Sequence, residues 1–135
     1  EIHAAFSPDG RWIAYVSNES GKSEVYVQPF PATGAKWTVS TGGGASPRWR
    51  RDGKELFYLG PEDTMYAVPM TGGGSFDAGQ PKALFKRRTD KSGVVRSRCI
   101  VTADGQRFLV NGGEEDRGAT PFSVVMNWPQ GLAGE

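Results

Sequence analysis

An Asp-Gly pair flanked by apolar runs occurs three times in this chain, and it limits the fold more than any other feature. The first copy is FSPDGRWIAYVS, Phe6 to Ser17. The second is WRRDGKELFYLG, Trp49 to Gly60, and the third is VTADGQRFLVNG, Val101 to Gly112. Asp-Gly in this setting predicts a β-hairpin, because glycine accepts the positive φ that a tight turn requires. The pairs stand at 9–10, 52–53 and 104–105, which is 43 and then 52 residues apart. Alignment on them extends beyond the turns. Three positions before each Asp stand Phe6, Trp49 and Val101. After it comes an apolar cluster: Ile13 to Tyr15, then Phe57 with Tyr58, then Leu109 with Val110. A second strand follows each time, beginning at Glu24, Thr64 and Phe122. Tyr26 and Pro29 match Tyr66 and Pro69, whereas the third copy carries Val124 and Asn127.

Repeats of about 40 to 50 residues with four strands each are the signature of propeller blades. KWTVST, Lys36 to Thr41, and PKALFK, Pro81 to Lys86, supply a fourth strand to the first two units. Nothing equivalent follows Trp128, where the tail PQGLAGE is polar and Gly-rich. Eleven strands are expected, at 2–6, 11–17, 24–29, 36–40, 46–50, 54–60, 64–69, 82–86, 95–101, 106–111 and 121–127. The fold class read from this pattern is all-β and of the β-propeller type. It has three four-stranded antiparallel blades at 1–44, 45–90 and 91–128, the last one incomplete, with a tail at 129–135. No capped stretch of helical period stands out.

The bulk numbers narrow the function classes. A length of 135 residues suits one domain of ordinary size. The 16 basic and 15 acidic residues nearly cancel, which argues against a nucleic-acid partner. The 19 glycines and 9 prolines are spread among apolar runs, as turns in an all-β chain would be. No apolar run approaches the roughly 18 residues of a membrane span, so no membrane insertion of this segment is expected. There is no signal-peptide pattern, and the start at Glu1 reads as a mature chain or an excised piece. Cys99 is the single cysteine, so no internal disulfide can form and the redox compartment stays open. The GGG runs lack the Lys-Ser/Thr and following helix of a phosphate loop, and no cofactor is implied.

FSPDGRWIAYVS followed by SEVYV resembles the WD40-like PD40 β-propeller repeat of TolB-like proteins. Three further pieces look like the C-terminal propeller of bacterial serine/threonine protein kinases: Ala78 to Phe85, Thr102 to Asn111 and Pro121 to Leu132. Two copies depart from the pattern, with Arg51 and Ala103 where Pro precedes Asp. The resemblance implies a bacterial module at the end of a larger protein, periplasmic or extracytoplasmic if that protein is a membrane kinase or TolB-like. The kinase itself is absent, having no Gly-rich ATP loop, His-Arg-Asp or Asp-Phe-Gly. The same repeat precedes the catalytic domain of prolyl-oligopeptidase-type peptidases, but the Gly-x-Ser-x-Gly elbow is also absent.

Three blades do not close a ring, since closed propellers hold about four to eight. An open array exposes two blade faces, which predicts self-association, with a dimer closing a 3 + 3 ring. The leading functional reading is a non-catalytic interaction or sensing module for a protein, peptide or small-molecule ligand. The alternatives are an accessory domain gating a hydrolase or peptidase, and a structural oligomerisation module. His3, Arg48 and Arg98 are the candidate ligand-binding residues, at a channel rim. His3, Ser46 and Arg98 share one offset from Asp, and Ala5, Arg48 and Ile100 lie two residues on, so alternation puts all six on one side. The opposing reading is half-exposed strand residues or Arg–Asp pairs. Other features read as structural: Cys99 as a small filler, Glu114 to Asp116 as a solvated turn rather than a calcium site, and Lys86 to Arg88 as a solvated loop. Asn18-Glu-Ser20 matches a glycosylation sequon by accident on the bacterial reading. Trp12, Trp37, Trp49 and Trp128 could form a ligand platform, against blade-to-blade packing, which is the preferred reading for Trp49. Asp9, Asp52 and Asp104 recur at one turn position and are read as structural, bonding the turn backbone.

Overall fold

A computed structural model of the chain describes residues 3–71, 75–86, 99–111 and 122–126. These residues form eleven strands in three antiparallel sheets. The first sheet runs β1 (Ala4–Phe6), β2 (Trp12–Ser17), β3 (Glu24–Pro29) and β4 (Trp37–Thr38), each hydrogen-bonded to the next. The second repeats that order with β5 (Ala45–Trp49), β6 (Glu55–Leu59), β7 (Thr64–Pro69) and β8 (Lys82–Lys86). The third holds β9 (Cys99–Val101), β10 (Arg107–Asn111) and β11 (Phe122–Met126). The expected start of β9 at 95–98 lies outside the described residues.

The three Asp-Gly turns are copies of one another at atomic detail. Gly10, Gly53 and Gly105 sit at φ 71, 74 and 70, the left-handed region. Their N–H groups donate to the carbonyls of Ser7, Arg50 and Thr102, each at 2.9 Å. The next closure joins Ser7 N–H to Trp12 O, Arg50 N–H to Glu55 O, and Thr102 N–H to Arg107 O. Each Asp accepts, through Oδ1, the backbone N–H two residues on: Arg11 at 3.1 Å, Lys54 at 2.9 Å and Gln106 at 3.0 Å. The carboxylates therefore hold the turns, as their recurrence suggested.

Alternation along β6 sends its side chains to two different neighbours. Leu56 and Tyr58 join a buried cluster with Ala14, Val25 and Val27 of the first sheet and Val39 just past β4. Phe57 and Leu59 join Met65, Ala67, Leu84 and Phe108, which reaches in from the third sheet. The middle sheet is thus packed on both faces. A lone hairpin is marginal in water, and each large side chain buried in a seam contributes on the order of 1.5–3 kcal/mol. The seams, more than the hairpins, hold the sheets face to face. β5 lies beside β1 and β9 lies beside β5, so the first strands of successive sheets are neighbours.

Three local features differ from expectation. β4 ends at Thr38 rather than at residue 40. There Val39 N–H still donates to Val25 O at 2.8 Å, but Val25 N–H donates to the Ser40 side chain, at Oγ and 2.8 Å, and the Ser40 hydroxyl donates to Glu24. A second Glu24 oxygen accepts from Gly43 N–H at 2.9 Å. A single 3-10 turn, Pro61–Asp63, joins β6 to β7, with Glu62 and Asp63 both at positive φ. Finally, β5 carries a register shift between Ala45 and Arg48, centred on Ser46 at φ 52.

Candidate functional site

The turn ends of the first two sheets meet in a cleft of about 440 Å³. Its apolar walls are Trp12, Trp49, Met70 and Phe76. Trp12 opens β2 just after the first Asp-Gly turn, so the turn itself places the indole at the turn end of the sheet. Trp37 of β4 meets it edge-on at 5.8 Å. Phe76 completes the group, stacked on Trp37 at 4.6 Å and tilted against Trp12 at 5.4 Å. Trp49 ends β5, and its Nε1–H donates to Ala5 O of the first sheet at 3.0 Å. It packs in the seam and also lines the cleft. Trp128 lies outside the described residues.

Phe76 is held near Trp37 by bonds between Met70 and Thr71 on one arm of the β7–β8 connection and Asp77 and Ala78 on the other. Met70 bridges to Ala78, and Thr71 N–H donates to Asp77 O at 3.0 Å. The Thr71 hydroxyl donates to Asp77 Oδ2 at 2.9 Å. That loop adds Asp77 to the cleft rim beside Asp9, Asp52 and Lys54. The Ser7 hydroxyl, donating at 2.5 Å, and the Arg11 N–H hold the Asp9 carboxyl below the usual carboxylate range. Asp52 Oδ2 lies 3.2 Å from Arg50 Nε, while Arg50 Nη1 donates to Glu55 at 3.0 Å. The rim thus carries three carboxylates and the Lys54 ammonium, with the Asp52 carboxylate also beside the Arg50 guanidinium, and the wall includes Trp12, Trp49 and Phe76.

Of the candidate channel-rim residues, His3 and Arg48 do not line this cleft. Ala5, Arg48 and Ile100 pair in register with Ala14, Phe57 and Leu109, which are repeat equivalents, so these three do share a side. Ser46 does not follow. It is the extra residue of the β5 bulge, and an inserted residue breaks the alternation on which the expectation rested. His3 is half-buried just before β1. Arg48 is half-buried, and its Nη1 donates to Pro47 O at 3.0 Å, back along its own strand. Arg98 lies outside the described residues, as do Glu114 to Asp116 and the Cys99 side chain. Among the described residues no group of three or more His, Cys, Asp or Glu converges as a metal site. No helix there is long and apolar enough to cross a membrane.

Sequence reasoning missed Phe76 and Asp77. The available signal was one aromatic in a Gly-rich polar loop, Met70 to Pro81. An apolar side chain in such a loop needs a surface to cover, and here that surface is Trp37 and Trp12.

No protein-family model matches the chain. Among solved structures, an oligogalacturonate lyase from Vibrio parahaemolyticus aligns at a TM-score of 0.58 and 12% identity, over 82% of this chain and 30% of that one. TolB from Acinetobacter baumannii aligns at a TM-score of 0.47 and 22% identity, over 92% of this chain and 40% of that one. The chain therefore spans less than half the length of either protein. The likeness to the lyase bears on fold alone, and with the three meander sheets it identifies the architecture as a β-propeller.

Proposed function

We propose that this chain is a non-catalytic recognition module that takes a peptide segment or small ligand into the cleft between its first two blades. The supporting observation is the cleft itself: an aromatic wall of Trp12, Trp49 and Phe76 under a rim of Asp9, Asp52 and Asp77. Indoles offer a large apolar face at little cost in lost freedom. Carboxylates over aromatic rings suit a cation, which the rings also attract through their negative faces. The ligand favoured is one that pairs an apolar or aromatic group with an amine or guanidinium. The fold shared with a lyase does not carry that enzyme's activity, because function resides in sites grafted onto folds. On this proposal the module belongs to a larger bacterial protein and faces the space outside the cytoplasm, in line with its resemblance to the propellers of membrane kinases.

The test is a titration followed by the indole N–H resonances of Trp12 and Trp49. Short peptides carrying Arg or Lys beside Phe or Trp should shift both signals with a Kd of about 10–100 μM, on the scale of weak peptide recognition. Peptides with Asp or Glu in place of the basic residue should not shift them, and Phe76→Ala should weaken the response. Unmoved indole signals across both basic and acidic peptides would reject the proposal.

A further inference from the structure

The charged groups around the cleft are not equally free to meet a ligand. Asp52 has both carboxylate oxygens in use: Oδ1 accepts Lys54 N–H at 2.9 Å, and Oδ2 lies 3.2 Å from Arg50 Nε. Asp9 and Asp77 each have one oxygen in use. Asp9 Oδ1 accepts the Ser7 hydroxyl and Arg11 N–H, and Asp77 Oδ2 accepts the Thr71 hydroxyl. Among the described residues, Asp9 Oδ2 and Asp77 Oδ1 accept no hydrogen bond from another residue, and the Lys54 ammonium pairs with no carboxylate. The cleft thus offers two carboxylates, each with an open oxygen, and one open ammonium, all lining the same space as the indoles of Trp12 and Trp49.

Lys54 is placed there by the main chain. It stands two residues past Asp52, where the turn repeat has Arg11 in blade one and Gln106 in blade three. Its N–H is held by the Asp52 carboxylate, and its carbonyl accepts Met70 N–H at 2.8 Å. The side chain therefore starts from a point fixed between the second Asp-Gly turn and the β7–β8 connection, the connection that also carries Asp77. Arg11, its equivalent in blade one, does not line the cleft.

A ligand with positive charge alone would leave Lys54 facing a like charge, and one with negative charge alone would do the same to Asp9 and Asp77. A molecule that carries both signs complements each. At about 440 Å³ the cleft lies within the range of about 300–1,000 Å³ that small-ligand sites occupy. We infer that the ligand is a small zwitterion, an aromatic amino acid or dipeptide with free ends, its ring against Trp12 and Trp49, its ammonium toward Asp9 and Asp77, and its carboxylate on Lys54. An internal stretch of protein chain has no free end to offer Lys54. The inference rests on the cleft being the binding site, and it adds to that reading the negative charge the ligand must carry.

The test compares the dipeptide Lys-Phe with its C-terminal amide, following the indole N–H shifts of Trp12 and Trp49 at low salt. The two probes differ only in the carboxylate. The acid should bind about three- to fivefold tighter, the scale of one exposed ion pair. Lys54→Gln should bring the two affinities together, weakening the acid while relieving the amide of a like charge. Lys54→Arg keeps the charge and should keep the preference. Circular dichroism checks that both variants are folded. Equal affinity for acid and amide, with both moving the indole signals, would overturn the inference and leave the cleft as a site for cations. A preference that survives Lys54→Gln, or a folded Lys54→Gln chain that binds both probes equally more weakly, would overturn it as well. Indole signals unmoved by either probe would overturn the inference together with the reading it rests on.

Discussion

Gly60 closes β6 directly beside the stacked Tyr58–Tyr66 pair, and Gly60→Ala probes how tightly the first seam is packed. A Cβ there would fall 2.5 Å from Tyr66 Cε2, 2.7 Å from Tyr66 Cδ2 and 3.3 Å from Tyr58 Cε2. Ordinary contact begins near 3.4 Å, so the Tyr66 ring must withdraw by about 0.9 Å. It cannot do so freely, since it stacks at 10° on Tyr58, which is 1% exposed and held against the first sheet. Backbone strain has no part in this, because Gly60 sits at φ −104. Overpacking costs about 1–3 kcal/mol, and a loosened aromatic pair about 0.5–1.5 kcal/mol. Against these, alanine stiffens the unfolded chain and returns about 0.4–1 kcal/mol. The net expectation is a destabilisation of about 2 kcal/mol, read from urea unfolding at constant m. Blade one offers a natural comparison: Ser17 occupies the equivalent point, and its tyrosine pair is looser, at 5.8 Å and 23°. On a Tyr66→Leu background the cost should largely vanish, because the two sites couple. A Gly60→Ala chain as stable as wild type, or a cost unchanged by Tyr66→Leu, would refute the reasoning.

Two further perturbations address the second seam and the alkaline limit. Phe108 is fully buried between Phe57, at 5.0 Å, and Phe85, at 5.3 Å, so Phe108→Ala should cost about 3–5 kcal/mol. Amide exchange should quicken in β9 and β10 more than in β2 and β3; equal acceleration throughout would contradict a local role. Burial pushes the Tyr58 phenol up to about 12, and Tyr66 and Glu24 add to the effect. The unfolded chain then loses this proton first, near pH 10, so the contribution is intact below about pH 10 and declines as pH rises toward 12. Tyr58→Phe should flatten that decline when urea midpoints are compared across the window, and an unchanged slope would count against burial as the cause.

Much of the fold was legible because its determinants are local. The Asp carboxylate and the Gly backbone build each turn from residues within five positions, and the same three bonds recur at Asp9, Asp52 and Asp104. Strand faces followed from alternation wherever the ladder is regular, as with Leu56 and Phe57. Alternation failed at Ser46, where a left-handed residue inserts into β5; nothing in the string ASPRW marks it. The early end of β4 was hidden for a related reason, since Ser40 finds Glu24 only after the chain has returned across β3. The cleft was half legible. Trp12 and Trp49 follow the turn repeat, but Phe76 joins them from a connection tied by the Met70–Ala78 bridge and the Thr71–Asp77 bonds. Contacts made across sheets in this way leave no period for a sequence pattern to expose.

The central claim is that three successive sheets stack as blades, each buried against the next. Methyl-to-aromatic nuclear Overhauser effects measure that stacking directly. The account predicts cross-peaks from the methyls of Ala14, Val25 and Val27 to the Tyr58 ring, and from Met65 and Leu84 to the Phe108 ring. Cross-peaks confined within each sheet, with neither set present, would contradict it.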